Sequence, residues 1–419
     1  MKHFSQYPLN FNSPLVEETS GAIWLKRALI LWAILWIAVS VKSIVQPEKK
    51  SVFPCFADSS INWWADRSLY DNDIQKTGYR YSPTFALAFT PFAILPPSMG
   101  GILWSALNIG LLVFALRLLI KEIFPGDWSK FQEACFLILC LAGCTRAIWS
   151  AQSNSLVFAL AVFAVVSLKK ERWWAAAFIL AAAVHIKLWP VALALLLMAR
   201  FPRQLALRFT AACALLVIPP FFTRPFPVVI QQYQDWYALL TGPYRTLRQA
   251  GLRDAYTIAE HFGTYVDDRV YTLLQLGLAG LALLWCLRLA KVCNSTETYF
   301  TGALTTWVCW QLLVGPGTER LTFLLAAPLA SWALIVSYKE RCHPLLASIA
   351  WLMLIPLGTG SVERLLLPVA DWSPAILPLG IIPLMVWQTV YIESRADLHR
   401  ANQNRERTSL QNQDPLWAA

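Results

Sequence analysis

The chain has 419 residues, of which 57% are hydrophobic and only 14% are charged, and its net charge is +10. A soluble domain of this size needs a far larger charged surface, so the composition indicates a polytopic membrane protein. The positive charges cluster at the ends of apolar runs, which is typical of the positive-inside rule and argues against a nucleic-acid-binding face. The nine cysteines lie mostly within apolar runs without the spacing of a zinc site, so we interpret them as small buried hydrophobic residues.

Apolar segments recur along the chain and predict an all-α membrane protein with about twelve transmembrane helices. The first segment has Lys26 and Arg27 near its start and no cleavage site after it, which favours an uncleaved helix over a signal peptide. The predicted segments are 25–45, 99–120, 131–149, 152–168, 173–186, 187–199, 205–223, 270–290, 298–314, 321–337, 344–357 and 375–392.

The charges between these segments predict the side of the membrane that each connection faces. If residues 1–23 are cytosolic and residues 83–96 form a helix that enters the outer interface without crossing, the basic connections all fall in the cytosol. A full crossing by residues 83–96 moves three of those connections outside, so charge favours the partial helix. The weakest point is 173–199, where two crossings have only about 13 residues each, roughly 20 Å of helix. A single crossing there inverts everything downstream.

This topology divides the chain into three parts. A cytosolic N-terminal segment, 1–23, precedes a transmembrane catalytic domain, 24–392, and a polar tail, 393–419, follows it and is expected to be disordered and cytosolic. Two long connections, 46–98 and 224–268, face outside, and short interfacial helices are expected in the first. The unusual polar residues converge on this outer side, where a cavity between helices is the natural place for them.

Asp58, in the first outer connection, is the strongest pointer to chemistry. A partly desolvated carboxylate among aromatic rings acts as a base toward a sugar hydroxyl. Trp63 and Trp64 follow where an interfacial helix places them against lipid or sugar. Alternatively, Asp58 caps a short helix that begins at Ser59 or Ser60, and the two roles need not exclude each other. Asp66 is a weaker candidate for the base.

Asp71 and Asp73 resemble the paired acids that hold a metal on a nucleotide diphosphate, but a solvated turn explains them equally well. Since no second carboxylate cluster completes a metal shell, we expect no metal. Further contacts to phosphate or glycan are predicted for Tyr79, Arg80, Tyr81, Arg245, Arg248 and Arg253.

Three more motifs lie at predicted outer helix ends, and each has two interpretations. Gln152 and Asn154 bind sugar hydroxyls or join neighbouring helices. Lys187, flanked by apolar residues, contacts a lipid phosphate or extends its ammonium to the interface. In the helix-breaking run Gly315-Pro316-Gly317-Thr318-Glu319-Arg320, the arginine clamps phosphate with Glu319 orienting it, or the two form an internal ion pair.

With these residues the chain resembles glycosyltransferase family 87, the polyprenol-phosphate-mannose-dependent mannosyltransferases and their relatives, over about residues 25–390. The matching motifs are Asp58 followed by Trp63-Trp64-Ala65 and Leu69-Tyr70, then Tyr79-x-Tyr81-x-Pro83, Gln152-x-Asn154 and Lys187-x-x-Pro190. The resemblance implies a GT-C fold and inverting transfer of one sugar from a lipid-linked monophosphate on the outer face, with Asp58 as the base. The family often has Ser-Pro followed by Trp and His at the later outer boundary, where this sequence has residues 315–320 instead.

We therefore expect a multi-pass enzyme of the cytoplasmic (inner) membrane. It moves a mannose-like hexose from a polyprenyl-phosphate donor to a lipid-linked or envelope glycan acceptor, without a cofactor and without a nucleic-acid partner. The expected donor phosphate contacts are Lys187, Arg320 and Arg80, and the expected acceptor or sugar contacts are Gln152, Asn154, Trp63, Trp64, Tyr81 and Glu319. The alternatives are a transporter, for which no internal repeat is visible, a non-catalytic membrane scaffold, and another polyprenol-dependent enzyme.

Overall fold

The computed structural model describes residues 14–70, 78–241, 252–293, 295–355 and 379–395. These residues form helices and no strand, apart from one isolated antiparallel bridge between Leu252 and Glu319. The prediction of an all-α chain is confirmed for this part of the protein.

The helices follow the predicted apolar segments closely. The first six are α1 (Pro14–Val45), α2 (Phe53–Trp64), α3 (Pro83–Ala88), α4 (Thr90–Ala93), α5 (Pro97–Leu118), which continues into a π-helical turn (Leu119–Ile123), and α6 (Lys130–Trp149). The next five are α7 (Asn154–Lys169), α8 (Trp173–Ile186), α9 (Pro190–Met198), α10 (Pro202–Val217), which leads into a 3₁₀ turn (Pro219–Phe222), and α11 (Phe226–Thr241). The last are α12 (Ala255–His261), α13 (Asp268–Val292), α14 (Thr296–Leu313), a 3₁₀ turn (Arg320–Leu325), α15 (Ala326–Glu340), α16 (Pro344–Leu354) and the helical residues 381–395.

Capping side chains and prolines determine where several helices begin. At the start of α6, Ser129 Oγ accepts from the Gln132 amide at 3.2 Å while Gln132 Oε1 accepts from the Ser129 amide at 3.0 Å, a reciprocal capping box. At the start of α3, Ser82 Oγ accepts from the Phe85 amide at 3.2 Å. Pro83 occupies the first helical position, where a missing N–H removes no helical hydrogen bond.

Six of the described helical segments are long and apolar enough to cross a membrane, and three shorter helices, α7, α8 and α16, are also apolar. A multi-pass membrane protein is therefore supported, while the total of about twelve spans stays a prediction. Helices α3 and α4 have six and four residues, about 9 and 6 Å of helix. Residues 83–96 thus contain no helix long enough to cross a bilayer.

The basic connections lie together at one end of the molecule. Lys169 Nζ lies 3.7 Å from Glu122 Oε2 and 3.0 Å from Glu297 Oε1. Arg200 donates to the Cys293 carbonyl oxygen at 3.1 Å. These contacts join four basic connections predicted to share one side, and we call this the basic end. Its connections are 119–130, 169–172, 199–203 and 292–297.

The predicted site motifs lie at the opposite end. The Val52 amide donates to the Ser150 carbonyl oxygen at 2.9 Å, and Ser82 Oγ donates to the His185 carbonyl oxygen at 2.5 Å. The first outer connection therefore contacts both the turn after α6 and the end of α8. We call this the site end.

Residues 173–199 run out and back as two antiparallel helices. Trp173, at the start of α8, and Phe201, after α9, have ring centroids 5.5 Å apart, so the chain returns to the end from which it left. Helix α8 has 14 residues and α9 has nine, about 21 and 14 Å. The break between them, residues 187–189, lies at the site end, so the chain reverses its direction there; two crossings of the membrane by this segment stay a prediction.

Two groups of buried side chains hold this arrangement together. The larger is an apolar core shared by most helices, and the smaller is an aromatic cluster at the site end. In the smaller cluster the Phe56 ring lies 4.9 Å from Tyr81, 5.4 Å from Phe85 and 5.9 Å from Trp104, centroid to centroid, all edge to face. Such pairs stabilise beyond the area that they bury, so the cluster fixes α2 against α3 and α5.

Candidate functional site

The segment 79–83 is held on both sides by hydrogen bonds to distant parts of the chain. Tyr70 Oη donates to the Tyr81 carbonyl oxygen at 2.7 Å. Ser82 donates to the His185 carbonyl oxygen, close to the end of α8. These two hydrogen bonds hold the backbone of residues 81–82 in place, with the Tyr81 side chain beside residues 187–189.

Lys187 lies directly against this tyrosine, with its Nζ atom 5.5 Å from the centre of the Tyr81 ring, within the range of a cation–π interaction. Tyr81 Oη donates to Gln152 Oε1 at 3.4 Å. Burial lowers the pKa of Lys187, while the charge of Glu319 raises it and that of Arg80 lowers it. Burial, followed by the charge of Glu319, raises the pKa of Tyr81. The structure therefore brings Tyr81, Gln152 and Lys187 into contact, and the charges of Arg80 and Glu319 act on Lys187; we call these five predicted site residues the Lys187 cluster.

Arg320, next to Glu319 in sequence, belongs to a different group. Arg146 and Arg320 line one cleft. The Arg320 guanidinium also lies within electrostatic reach of the positive charges of Arg146 and Arg253. Burial, followed by the charge of Arg146, lowers the pKa of Arg253. We call these three residues the arginine cluster. The converging positive charges favour an anionic partner.

The sequence analysis did not identify Arg146, because a basic residue in the last turn of an apolar helix usually reflects the helix dipole or the topology. A signal was nevertheless present. The positive-inside rule places few basic residues at an outer helix end, and Arg146 lies at the site end of α6.

The turn between α6 and α7 holds a buried amide that lacks partners. Asn154 is only 1% exposed, and among the described residues neither its Nδ2 nor its Oδ1 atom has a hydrogen-bond partner. Ala151, in the same turn, has a left-handed backbone with a φ of 54°, which is uncommon for a residue with a side chain. A strained turn next to an unsatisfied amide is typical of a ligand site. A sugar hydroxyl, which both donates and accepts, matches both atoms of the amide.

Asp58 lies in the middle of α2, and its side chain is exposed. The alternative prediction of a helix cap at this position was wrong, because α2 begins five residues earlier, at Phe53. Partial desolvation and the charge of Glu48 raise the pKa of Asp58, and the charge of Arg67 lowers it. Phe56, two residues before Asp58, packs on Tyr81. Two helical steps turn the chain by about 200°, so Asp58 lies on the face of α2 that is turned away from Tyr81.

The two tryptophans of α2 differ in their surroundings. Trp63 is 2% exposed, and its Nε1 donates to Thr223 Oγ1 at 3.1 Å. Trp64 is 49% exposed, so its ring is accessible to lipid or sugar. Asp66, the weaker candidate for the base, forms an ion pair with Arg224. In this structure Trp63 packs in the aromatic cluster, which sequence reasoning did not predict.

Several predicted residues lie outside the part of the chain that the structure describes. They are Asp71, Asp73, Arg245 and Arg248. Within the described ranges, no group of three or more histidine, cysteine, aspartate or glutamate side chains is placed to hold a metal. The expected absence of a metal therefore stays a prediction.

Comparison with known proteins gives one family. The sequence model of glycosyltransferase family 87 matches residues 79–316, which is more than half of the chain. The matched region contains Tyr81, Gln152, Asn154 and Lys187, whereas Asp58 lies before it. No curated protein matches the chain.

Proposed function

The chain belongs to glycosyltransferase family 87, and from this premise we propose that it transfers a single mannose-like hexose from a polyprenyl-phosphate donor to a lipid-linked or envelope glycan acceptor, with inversion. The family makes the protein a membrane glycosyltransferase rather than a transporter or a scaffold. What we propose beyond the family is the donor, the acceptor and the stereochemistry of the transfer.

The Lys187 cluster is the observation that carries this proposal. A lysine that extends its ammonium to the interface points away from the protein, whereas Lys187 Nζ lies over the ring of Tyr81, a residue with 9% exposure. An ammonium held in such a place favours an anionic partner. We assign the donor phosphate to Lys187 and Arg80. Arg320, which lies in the separate arginine cluster, is proposed as a further cationic contact.

Asp58 is proposed as the base. The acceptor hydroxyl oxygen attacks the anomeric carbon, and Asp58 takes the hydroxyl proton. The bond between that carbon and the phosphate oxygen breaks, and the phosphate leaves with the electron pair. Cations that neutralise the phosphate make a general acid unnecessary. Inversion requires the base and the leaving group on opposite sides of the sugar.

Sugar recognition is assigned to the polar groups beside the donor phosphate. Gln152 and Asn154 offer amides at the turn before α7, and the Asn154 amide retains both of its hydrogen-bonding atoms for a ligand. Tyr81 and Glu319 contribute from the Lys187 cluster. The exposed Trp64 ring is proposed as a platform for the acceptor sugar or its lipid.

The reaction is proposed to occur on the extracytoplasmic face of the cytoplasmic membrane. The argument is electrostatic, because basic connections stay in the cytosol and the site end lies opposite the basic end. In intact cells, an impermeant thiol reagent is expected to label Asp58→Cys in a variant without accessible native cysteines, while a reporter fused to the C-terminal tail stays cytosolic. A tail that is found outside contradicts this orientation.

The deciding experiment measures sugar transfer by the purified protein from three donors: a polyprenyl monophosphate hexose, a polyprenyl diphosphate sugar and a nucleotide sugar. We expect transfer from the monophosphate alone, and a product whose anomeric configuration, measured by NMR, is opposite to that of the donor. Because side chains neutralise the leaving group, EDTA should have no effect. Use of the nucleotide sugar, or inhibition by EDTA that magnesium or manganese reverses, contradicts the proposal and returns attention to Asp71 and Asp73.

A further inference from the structure

Thr318 lies at the centre of the loop that separates the two charged clusters. Its side chain is fully buried. Thr318 Oγ1 donates to the Gln311 carbonyl oxygen at 2.6 Å, with the Gly315 carbonyl oxygen also within 3.1 Å, and accepts from Gln311 Nε2 at 3.2 Å. The same Gln311 amide donates to the Pro316 carbonyl oxygen at 3.1 Å. One threonine and one glutamine therefore fix the whole glycine-rich loop against the end of α14.

The backbone of Thr318 connects the loop to the second long outer connection. Its carbonyl oxygen accepts from the Arg253 amide at 2.7 Å, and the neighbouring residues Leu252 and Glu319 form the antiparallel bridge. Thr318 thus joins α14, the loop, residues 252–253 and the 3₁₀ turn that begins at Arg320.

The two residues that follow Thr318 belong to different clusters. The negative charge of Glu319 raises the pKa values of Lys187 and Tyr81. The Arg320 guanidinium instead lies within reach of the positive charges of Arg146 and Arg253. A small rotation of the loop moves both side chains at once. Such rotation is easy in principle, because Gly317, with a φ of 68°, adopts a backbone that favours glycine.

We propose that Thr318 is a positioning residue for sugar transfer, whose hydroxyl holds Glu319 at the Lys187 cluster and Arg320 at the arginine cluster. This inference rests on the proposed function and extends it to a residue that itself touches no substrate. The physical basis is that the rate of group transfer depends on the positions of the reacting groups, since a displacement of a reacting group by about 1 Å lowers the rate by about 10²-fold.

A simple helix-capping role does not account for these bonds. The Gly315 amide already donates to the carbonyl oxygens of Trp310 and Gln311 at 3.0 Å, and the Val314 amide donates to that of Trp310 at 3.0 Å. The carbonyl oxygens of Trp310 and Gln311 are therefore satisfied without the hydroxyl of Thr318. The additional bonds act on the loop beyond the helix.

The test compares Thr318→Val, which keeps the shape and removes the hydroxyl, with Thr318→Ser, which keeps the hydroxyl. The matched control is Thr305→Val in α14, because Thr305 is also fully buried and its hydroxyl donates only within the helix, to the Thr301 carbonyl oxygen at 2.9 Å. We expect Thr318→Val to raise the donor KM and to lower kcat about 10- to 100-fold. Thr318→Ser should recover most of both constants, and Thr305→Val should resemble the wild type.

The donor KM separates positioning from folding, since a smaller folded fraction lowers the apparent kcat and leaves KM unchanged. A Thr318→Val enzyme with an unchanged KM, or with the same constants as Thr305→Val, overturns the inference. If Thr318→Val does not fold, Gln311→Met is measured in its place, and an unchanged KM there is equally decisive. The kinetic constants of all variants are measured with the lipid donor that the wild type uses. Failure of the wild type with polyprenyl monophosphate contradicts the proposed function alone.

Discussion

Replacing Asn154 by leucine should stabilise the protein and impair sugar transfer. The amide is 1% exposed and, among the described residues, both of its polar atoms lack hydrogen-bond partners. Its desolvation is therefore uncompensated when no substrate is bound. Leucine has a similar size and no polar atom, so the substitution removes the unsatisfied group and leaves the packing nearly unchanged. Helix α7 loses no capping bond, because its N-cap residue is Ser153 and no side chain caps it.

A buried polar group without a partner costs about 1–3 kcal/mol. Removal of the Asn154 amide should therefore raise the free energy of unfolding by about 1–3 kcal/mol, which appears as a Tm increase of roughly a few degrees for a chain of this size. The effect on transfer has the opposite sign. Loss of one or two sugar hydrogen bonds, at about 1 kcal/mol each, should lower kcat/KM about tenfold or more.

The matched control is Asn108, a second buried asparagine whose amide is satisfied. Its Nδ2 donates to the Trp104 carbonyl oxygen at 2.9 Å, and its Oδ1 accepts from Ser155 Oγ at 2.7 Å. Asn108→Leu should lower the free energy of unfolding by about 1–3 kcal/mol, since the Ser155 hydroxyl loses its acceptor at 2.7 Å and keeps only the Gln152 carbonyl oxygen at 3.5 Å. Thermal unfolding in detergent and transfer kinetics on both variants give the comparison. An Asn154→Leu protein that is less stable than the wild type, or one with normal kcat/KM, refutes the assignment of this amide to the sugar.

The remaining predictions concern the base and the donor phosphate. Asp58→Asn should lower kcat about 10²- to 10⁴-fold with normal expression, and retained activity moves the role of base to another carboxylate. Because the charge of Glu48 raises the pKa of Asp58 and that of Arg67 lowers it, Glu48→Gln should move the acid limb of the kcat/KM profile to lower pH and Arg67→Gln to higher pH; identical profiles exclude Asp58 as the titrating base. Lys187→Gln and Arg320→Gln should each weaken donor binding and lower kcat further, since the phosphate charge develops fully only in the transition state; a change in KM alone argues for uniform binding.

The membrane class and the helix positions follow from the sequence because they depend on local properties. Hydropathy and length predict a helix without knowledge of its neighbours, and nearly every predicted apolar segment coincides with a helix in the described residues. Charge at the segment ends also predicted, through the positive-inside rule, that Tyr81, Gln152 and Lys187 converge at one end of the molecule.

Only the tertiary structure decided which of these side chains are available for chemistry. Trp63 and Trp64 are neighbours in sequence, yet Trp63 is buried through a contact with Thr223, far along the chain, while Trp64 is exposed. Glu319 and Arg320 are neighbours in sequence and yet belong to different clusters, and the loop that leads into them is held by the Thr318 hydroxyl. Hydropathy and charge are summed along the chain, whereas burial and hydrogen bonding depend on residues that meet only after folding. The sequence therefore determines the helices and their ends, and the fold determines the roles of the individual polar groups.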